Sequence, residues 1–158
     1  MSDKLVIIYC DGSSNGKSND CGGWGAVLIN KNNILKISGY SPNATNNTME
    51  LTAAIEALSA LKVRSTVQMY VDSQYVMNGF VKGWLRNWKK NSWKNSEGNP
   101  VANKELWIKL EEVVNRHEVK WIWVKGHSGD KYNEMVDKLA KSAKTSKTGV
   151  KECVVITE

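Results

Sequence analysis

Asp11, Glu50, Asp72 and Asp137 are the side chains through which this sequence could do chemistry. Hard divalent cations such as Mg²⁺ take oxygen ligands, usually a few carboxylates completed by waters and phosphate oxygens. Two such ions about 4 Å apart are a common device for hydrolysing a phosphodiester: one activates water and the other steadies the leaving oxygen. Carboxylates distant in sequence must then gather at one place. Asp11 ends the apolar run Leu5 to Cys10 and precedes Gly12, while Asp72 ends the alternating segment Thr66 to Val71. If those segments are neighbouring strands, their ends bring the two side chains together. Glu50 precedes Ala54, Leu58 and Leu61 at helical spacing, so it lies on an apolar stripe, where an unpaired charge is costly. Asp137 adjoins Val136 in a helical pattern, three residues after Glu134.

Each carboxylate also has a plainer reading. Asp11-Gly12 is an ordinary turn pair. Glu50 stands where a capping box begun by Asn47 would place it. Asp72-Ser73 suits a helix N-cap region, and Asp137 a solvated helix position.

The elements that must position these residues can be read from periodicity and turn chemistry. Leu5 to Cys10 reads as a buried strand and Asp11 to Asp20 as a polar loop. Gly23 to Asn30 and Ile34 to Tyr40 read as a hairpin turned by Asn30-Lys31-Asn32-Asn33. Leu51, Ala54, Ile55, Leu58 and Leu61 predict a helix over Thr48 to Leu61. Thr66 to Val71 alternates as a strand, and Ser73 opens a short helix that Gly79 interrupts. A Trp- and Lys-rich segment, Trp84 to Lys94, follows. Lys104 to His117 is an amphipathic helix, at whose end His117 sits as a terminal residue. Glu118 to Val124 is a strand, Gly126 to Gly129 a flexible turn, and Tyr132 to Lys144 the last helix. A hairpin followed by strand–helix alternation predicts an α/β fold, a mixed sheet with helices on its faces. We read residues 1–144 as one domain and 145–158 as a tail. Its polar part, Thr145 to Gly149, is expected to be mobile; Val154-Val155-Ile156 could add to a sheet edge or dock on the surface.

The bulk composition fits this picture. At 158 residues, 41% hydrophobic and 24% charged, the chain can bury one core without disulfides or structural metal. The three cysteines, Cys10, Cys21 and Cys153, lack framework spacing, which points to a reducing compartment. With no signal-peptide pattern and no apolar stretch of membrane-spanning length, the expected location is the cytoplasm, with no membrane partner. A formal charge of +6 is compatible with a polyanionic partner without requiring one.

Five strings resemble type 1 ribonuclease H, in that family's order. They are Asp11-Gly12-Ser13, Thr45-Asn46-Asn47-Thr48-Met49-Glu50-Leu51, Asp72-Ser73-Gln74-Tyr75-Val76, Trp123-Val124-Lys125-Gly126-His127 and Asn133-Glu134-Met135-Val136-Asp137-Lys138-Leu139-Ala140. The match looks like the bacterial single-domain form and runs from about Leu5 to Ala143. It implies a ribonuclease H-like fold with a five-stranded mixed sheet and helices on both faces. It implies an endoribonuclease that cuts the RNA strand of an RNA–DNA hybrid duplex by a two-metal-ion mechanism, leaving 5′-phosphate and 3′-hydroxyl ends. Two Mg²⁺ ions are expected with substrate, with Mn²⁺ as a substitute, and the expected state is a monomer. By position, Asp11, Glu50, Asp72 and Asp137 are the metal-binding catalytic carboxylates, with Asp11 central. Glu134 matches an acidic neighbour that tunes the site. His127 matches a loop histidine that assists proton transfer or product release; its plainer reading is a surface loop histidine between Gly126 and Gly129.

Substrate contacts follow from the same two sources. Between Asp72 and Glu97 no acidic residue occurs, while Lys82, Arg86, Lys89, Lys90 and Lys94 fall there with Trp84, Trp88 and Trp93 among them. Clustered bases with aromatics fit a nucleic-acid contact, although a solvated helix over a core tryptophan would look similar. The resemblance implies a basic protrusion here that holds the DNA strand, with Trp84, Trp88, Lys89 and Lys90 at the duplex. It also implies that Asn46, Asn47 and Gln74 read the minor groove, that Ser13 and Ser14 lie in an RNA-side loop, and that Thr45 contacts a DNA phosphate. Departures from the pattern are Ser14 in place of a common cysteine, Ala102 in place of a common lysine, and the 15–20 loop. Two other functions compete. A transposase, integrase or junction resolvase on the same sheet fits the Asp72 string and the Trp-rich segment poorly. A silent hybrid-binding module fits poorly with four intact carboxylates.

Overall fold

The computed structural model describes residues 4–15, 20–125 and 130–155. In chain order the elements are β1 (Lys4–Ser14), β2 (Asp20–Asn30), β3 (Asn33–Ala44), α1 (Asn46–Ser59), β4 (Ser65–Val71), α2 (Gln74–Val81), α3 (Trp84–Lys90), α4 (Lys104–Asn115), β5 (Glu118–Trp123), α5 (Lys131–Ser146) and β6 (Lys151–Val155). They build a mixed six-stranded sheet in the order β5-β4-β1-β2-β3-β6. The β1–β2 and β2–β3 pairs are antiparallel and the β1–β4 and β4–β5 pairs parallel.

Period-two alternation divides β1 between two cores. Val6, Ile8 and Cys10 pack with Val67, Met69 and Val71 of β4 beneath α1, α2, α3 and α4. Ile7 and Tyr9 point to the other face, where they meet Tyr70 and the Val136 and Leu139 side of α5. Both faces of the central strands are therefore covered, which is why Val6 to Cys10 is apolar without a break, whereas Leu5 before it is exposed. Trp107 of α4 is wholly buried in the first core, and its indole Nε1 donates to the Tyr75 hydroxyl at 3.1 Å.

Several expectations are corrected. The sheet has six strands rather than five, because the end of the chain adds β6 antiparallel to β3, pairing Ile34 with Val154 and Leu35 with Cys153. The backbone of β3 offers an open edge there, and the β6 backbone pairs with it while Val154 packs against the second core. The segment read as a loop from Asp11 is strand as far as Ser14, since Gly22 to Gly25 supply pairing partners for Asp11 to Ser14. Helix α1 is capped by Thr45, not Asn47: the Thr45 hydroxyl accepts from the Thr48 amide, and the Thr48 hydroxyl accepts from the Thr45 amide. Glu50 is thereby excluded from the capping box. Gly79 does not interrupt α2; it is buried inside it, and a Cβ there would collide with the Trp107 ring. His117 does more than end a helix. Its Nδ1 accepts from the Ser65 amide at 3.1 Å, its ring also bonds the Leu58 backbone, and burial lowers its pKa. No helix among the described residues is long and apolar enough to cross a membrane.

Candidate active site

The parallel pairing of β1 with β4 sets Cys10 opposite Val71. The next residues are Asp11, still paired in β1, and Asp72, just past the end of β4, so two carboxylates stand side by side where β4 stops. The end of β5 fixes the second: Val124 N–H donates to the Val71 carbonyl at 2.8 Å, and the Trp123 indole donates to the Asp72 carbonyl at 3.1 Å. The third carboxylate arrives from α1. Gly12 allows it, because a Cβ at Gly12 would lie 2.5 Å from the Glu50 nitrogen and the Met49 carbonyl carbon. The Gly12 amide is directed at both neighbours, at 2.9 Å to Asp11 Oδ1 and 3.2 Å to Glu50 Oε1.

The result is a cluster in which ligand oxygens of Asp11, Glu50 and Asp72 all lie within 4.8 Å of one another. Asp11 is 4% exposed and Glu50 9%, so water solvates them poorly. Burial, then the charge of Asp72, pushes Asp11 up to about 7, against the opposing effect of its hydrogen bonds to Glu50 and the Gly12 amide. Glu50 is held well above the ordinary carboxylate range, first by burial and then by Asp11. The Asp11–Glu50 hydrogen bond needs a proton on one of the two groups. A divalent cation would remove that need and satisfy the repulsion, so the donor set fits a hard metal ion.

Asp137 stands on α5 outside this group of three. Its carboxylate pairs with Lys141 one helical turn on, at 3.0 Å, yet its charge still reaches Asp11 and adds to the upward shift there. His127 lies outside the described residues. Cys10, directly before Asp11, is buried and its thiol is pushed far up by burial and by the three carboxylates, which rules it out as a nucleophile.

The expected substrate contacts are distributed around this end of the sheet. Asn46 Oδ1 accepts from both the Ser14 amide, at 3.1 Å, and the Ser14 hydroxyl, at 2.8 Å, joining two of them into one polar patch beside Ser13. Asn47 and Gln74 are exposed near the starts of α1 and α2. Thr45, also exposed, is engaged in the cap. Trp84 and Trp88 are half-buried in a run of rings that links Tyr75, Trp84, Trp88 and Trp93. Trp88 also meets Trp107 edge-on at 5.3 Å, so part of this aromatic set is structural. Lys90 is exposed, whereas Lys89 is paired with Glu111 of α4 at 3.0 Å.

One arrangement had no counterpart in the sequence reading. Tyr9 donates to Asp130 Oδ2 at 3.2 Å, and Asp130 Oδ1 caps α5 by accepting from the Tyr132 and Asn133 amides at 3.0 and 3.2 Å. Tyr9 also stacks on Tyr70 at 4.5 Å. The only available signal was that Tyr9 and Tyr70 each stand two residues before a site aspartate.

The sequence matches the family described as RNase H over residues 3–145. It is 50% identical to the ribonuclease H of Acetivibrio thermocellus, with 87% of this chain and 92% of that protein covered. It is 51% identical to the ribonuclease H of Stutzerimonas stutzeri, covering 89% and 91% respectively. The crystal structure of LC9-RNase H1, described as a type 1 RNase H with the type 2 active-site motif, superimposes with a TM-score of 0.85 at 30% identity. That comparison covers 99% of this chain and 79% of the other. A cluster of buried carboxylates at the end of a mixed sheet, met by this likeness along nearly the whole chain, identifies the protein as a ribonuclease H enzyme of the RNase H family.

Proposed function

We propose that this enzyme hydrolyses the RNA strand of RNA–DNA hybrids endonucleolytically, with two Mg²⁺ ions, leaving 5′-phosphate and 3′-hydroxyl ends. The observation that carries the reading is the convergence of Asp11, Glu50 and Asp72 on one point, under desolvation and mutual repulsion that a divalent cation would relieve. These three residues would hold the metal, with Asp137 joining from α5. When bound, divalent ions lower the pKa of water and offset charge on a phosphate. To hold a metal, Asp11 and Glu50 would release the proton between them to solvent, and the Gly12 amide donates to both carboxylates. Lys141 holds the Asp137 carboxylate at the border of the cluster. His127, by its place in the family string, assists proton transfer or product release.

Selection of a hybrid requires contact with 2′-hydroxyls on one strand. The Ser14–Asn46 pair, with Ser13, Asn47 and Gln74, offers small polar groups suited to a minor groove beside the carboxylates. Thr45 would meet a DNA phosphate while serving as the cap of α1, and Trp84, Trp88, Lys89 and Lys90 would hold the DNA strand. Phosphate contacts of that kind supply affinity and salt sensitivity rather than base preference. A gel assay with end-labelled duplexes tests the reading. With Mg²⁺ or Mn²⁺, the RNA strand of a hybrid should be cut, DNA–DNA duplex spared and EDTA inhibitory. Equal cutting of both duplexes would refute hybrid selectivity.

A further inference from the structure

A second acid-free run, apart from Lys141, is left unused by the site described above. From Lys138 to Lys151 there is no acidic residue, and lysines recur at 138, 141, 144, 147 and 151. On α5 a spacing of three keeps successive side chains on adjoining parts of one surface. Lys138, Lys141, Lys147 and Lys151 are exposed and Lys144 is half-buried. Among the described residues, Lys141 is the one member of this stripe with an ion pair, and its partner is Asp137.

The fold places the stripe at the carboxylate end of the sheet. Gly23 lets α5 settle there: a Cβ on Gly23 would collide with the backbone of Ala140 and Lys144. Gly23 is the register partner of Ser13, two residues beyond Asp11. The chain then leaves α5 through Lys147, whose φ of 59° is left-handed. It passes against Ser38, where Ser38 N–H donates to the Val150 carbonyl at 2.9 Å. Ser38 is the register partner of Gly25, which in turn faces Asp11. The lysines thus run from Asp137 across β2 to the edge of β3. The Trp84–Lys90 helix lies over the other face of the sheet from α5, packed on α2, which meets β4 and β5. Two basic segments, each free of acids in its own sequence, therefore flank the strand that carries Asp11.

We propose that Lys144, Lys147 and Lys151, continuing from Lys138 and Lys141, form a second phosphate-contacting surface. It extends the footprint on the duplex across the catalytic centre to the β2–β3 flank. The proposal rests on the duplex-cleaving reading above. It needs no chemistry at the lysines, only the release of counterions from phosphates they neutralise, which appears as a slope in log affinity against log salt of about 0.9 per contact.

The test measures binding of a fluorescent hybrid duplex to the full chain with metal chelated, so that no strand is cut, between roughly 50 and 300 mM salt. The variant is Lys144→Gln/Lys147→Gln/Lys151→Gln. A charge-matched control is Lys31→Gln/Lys62→Gln/Lys120→Gln, whose residues are exposed and away from Asp11. The stripe variant should lower the salt slope by about 1 to 3 and weaken binding on the order of tenfold, with kcat at saturating substrate within about twofold. The control should move the slope by much less. An unchanged slope, or an equal fall in both variants, overturns the proposal; so does a stripe variant that binds the hybrid normally but loses binding to an acidic peptide such as poly-glutamate, which would give the stripe to a protein partner. If the enzyme proved unable to cut hybrids, the same slopes measured on DNA duplex would still decide the role of the lysines, separately from the cleavage reading.

Discussion

At the scale of single residues, Asp11 combines burial, a neighbouring Asp72 charge and a carboxyl–carboxyl hydrogen bond to Glu50. Removing its charge should separate function from stability. Asp11→Asn should lower cleavage by orders of magnitude, because on the proposed reading it deletes a metal ligand, while in EDTA the fold becomes more stable by about 1–3 kcal/mol at pH 8. Chemical denaturation and a cleavage assay on the same preparation check both halves. The pH dependence has a defined sign. A carboxyl whose pKa is about 7 when folded and 3.8 as a free side chain binds more proton in the folded state between those values. Metal-free protein should therefore gain stability as pH falls from 8 to about 6.5, and saturating Mg²⁺ or Asp11→Asn should flatten that slope. Below about 6.5 the lowered pKa of His117 works the other way, since the unfolded imidazole takes up a proton that the folded one resists.

Between elements, the catalytic end depends on a few connections that are neither helix nor strand. Tyr9 links β1 to the cap of α5 through Asp130, and so relates the strand bearing Asp11 to the helix bearing Asp137. Tyr9→Phe keeps the ring stacked on Tyr70 and deletes only the hydroxyl. We expect a loss of about 1 kcal/mol in denaturant unfolding, the ordinary worth of one such bond. If Asp137 is a metal ligand, the Mg²⁺ concentration for half-maximal cleavage should also rise, with KM for the duplex unchanged; an unaltered metal dependence would show that α5 is held without this bond. The ion pair of Lys89 with Glu111 is a second connection of this kind, joining α3 to α4. It draws Lys89 toward a structural task and leaves Lys90 the more available of the two for phosphate.

Over the whole molecule, β6 completes the sheet on the side away from β5 and pairs with β3 from Asn33 to Ile37. Nothing in the carboxylate cluster touches it. Ending the chain after residue 149 should lower the melting temperature by about 2–4 °C, equivalent to about 1 kcal/mol for a domain near this size. Turnover at saturating duplex should stay within about twofold. Differential scanning fluorimetry and steady-state kinetics check this, and a collapse of turnover would mean that the tail supports the site and not only the edge of the sheet.

Much of this architecture is encoded locally. Alternation in Thr66 to Val71 and the apolar run before Asp11 decide which residues enter the core, because burial on a strand has a period of two. Glu50 was conspicuous for a charge on an apolar stripe, and it is indeed nine-tenths buried at the carboxylate cluster. Other features were invisible because their cause lies in distant chain. Asn46, beside the Thr45 cap, takes its partner from Ser14 on a distant strand. Gly79 looked like a helix breaker until Trp107, far along the sequence, filled the space that a side chain would need. The tail could not be assigned from its own residues because a β-strand is stabilised by its neighbour, and only the fold shows that β3 has an edge to offer. The sequence by itself determined which four carboxylates are available and that Asp72 follows directly on a strand; that β1 runs past Asp11 to Ser14 came only from its pairing with β2. Only the tertiary structure decided that Asp11, Glu50 and Asp72 share one site while Asp137 stands beside it, paired with Lys141. The reason is physical: alternation and helical stripes say which way a side chain points, but the distance between two charges is set by sheet register and by how closely glycine lets a helix approach a strand.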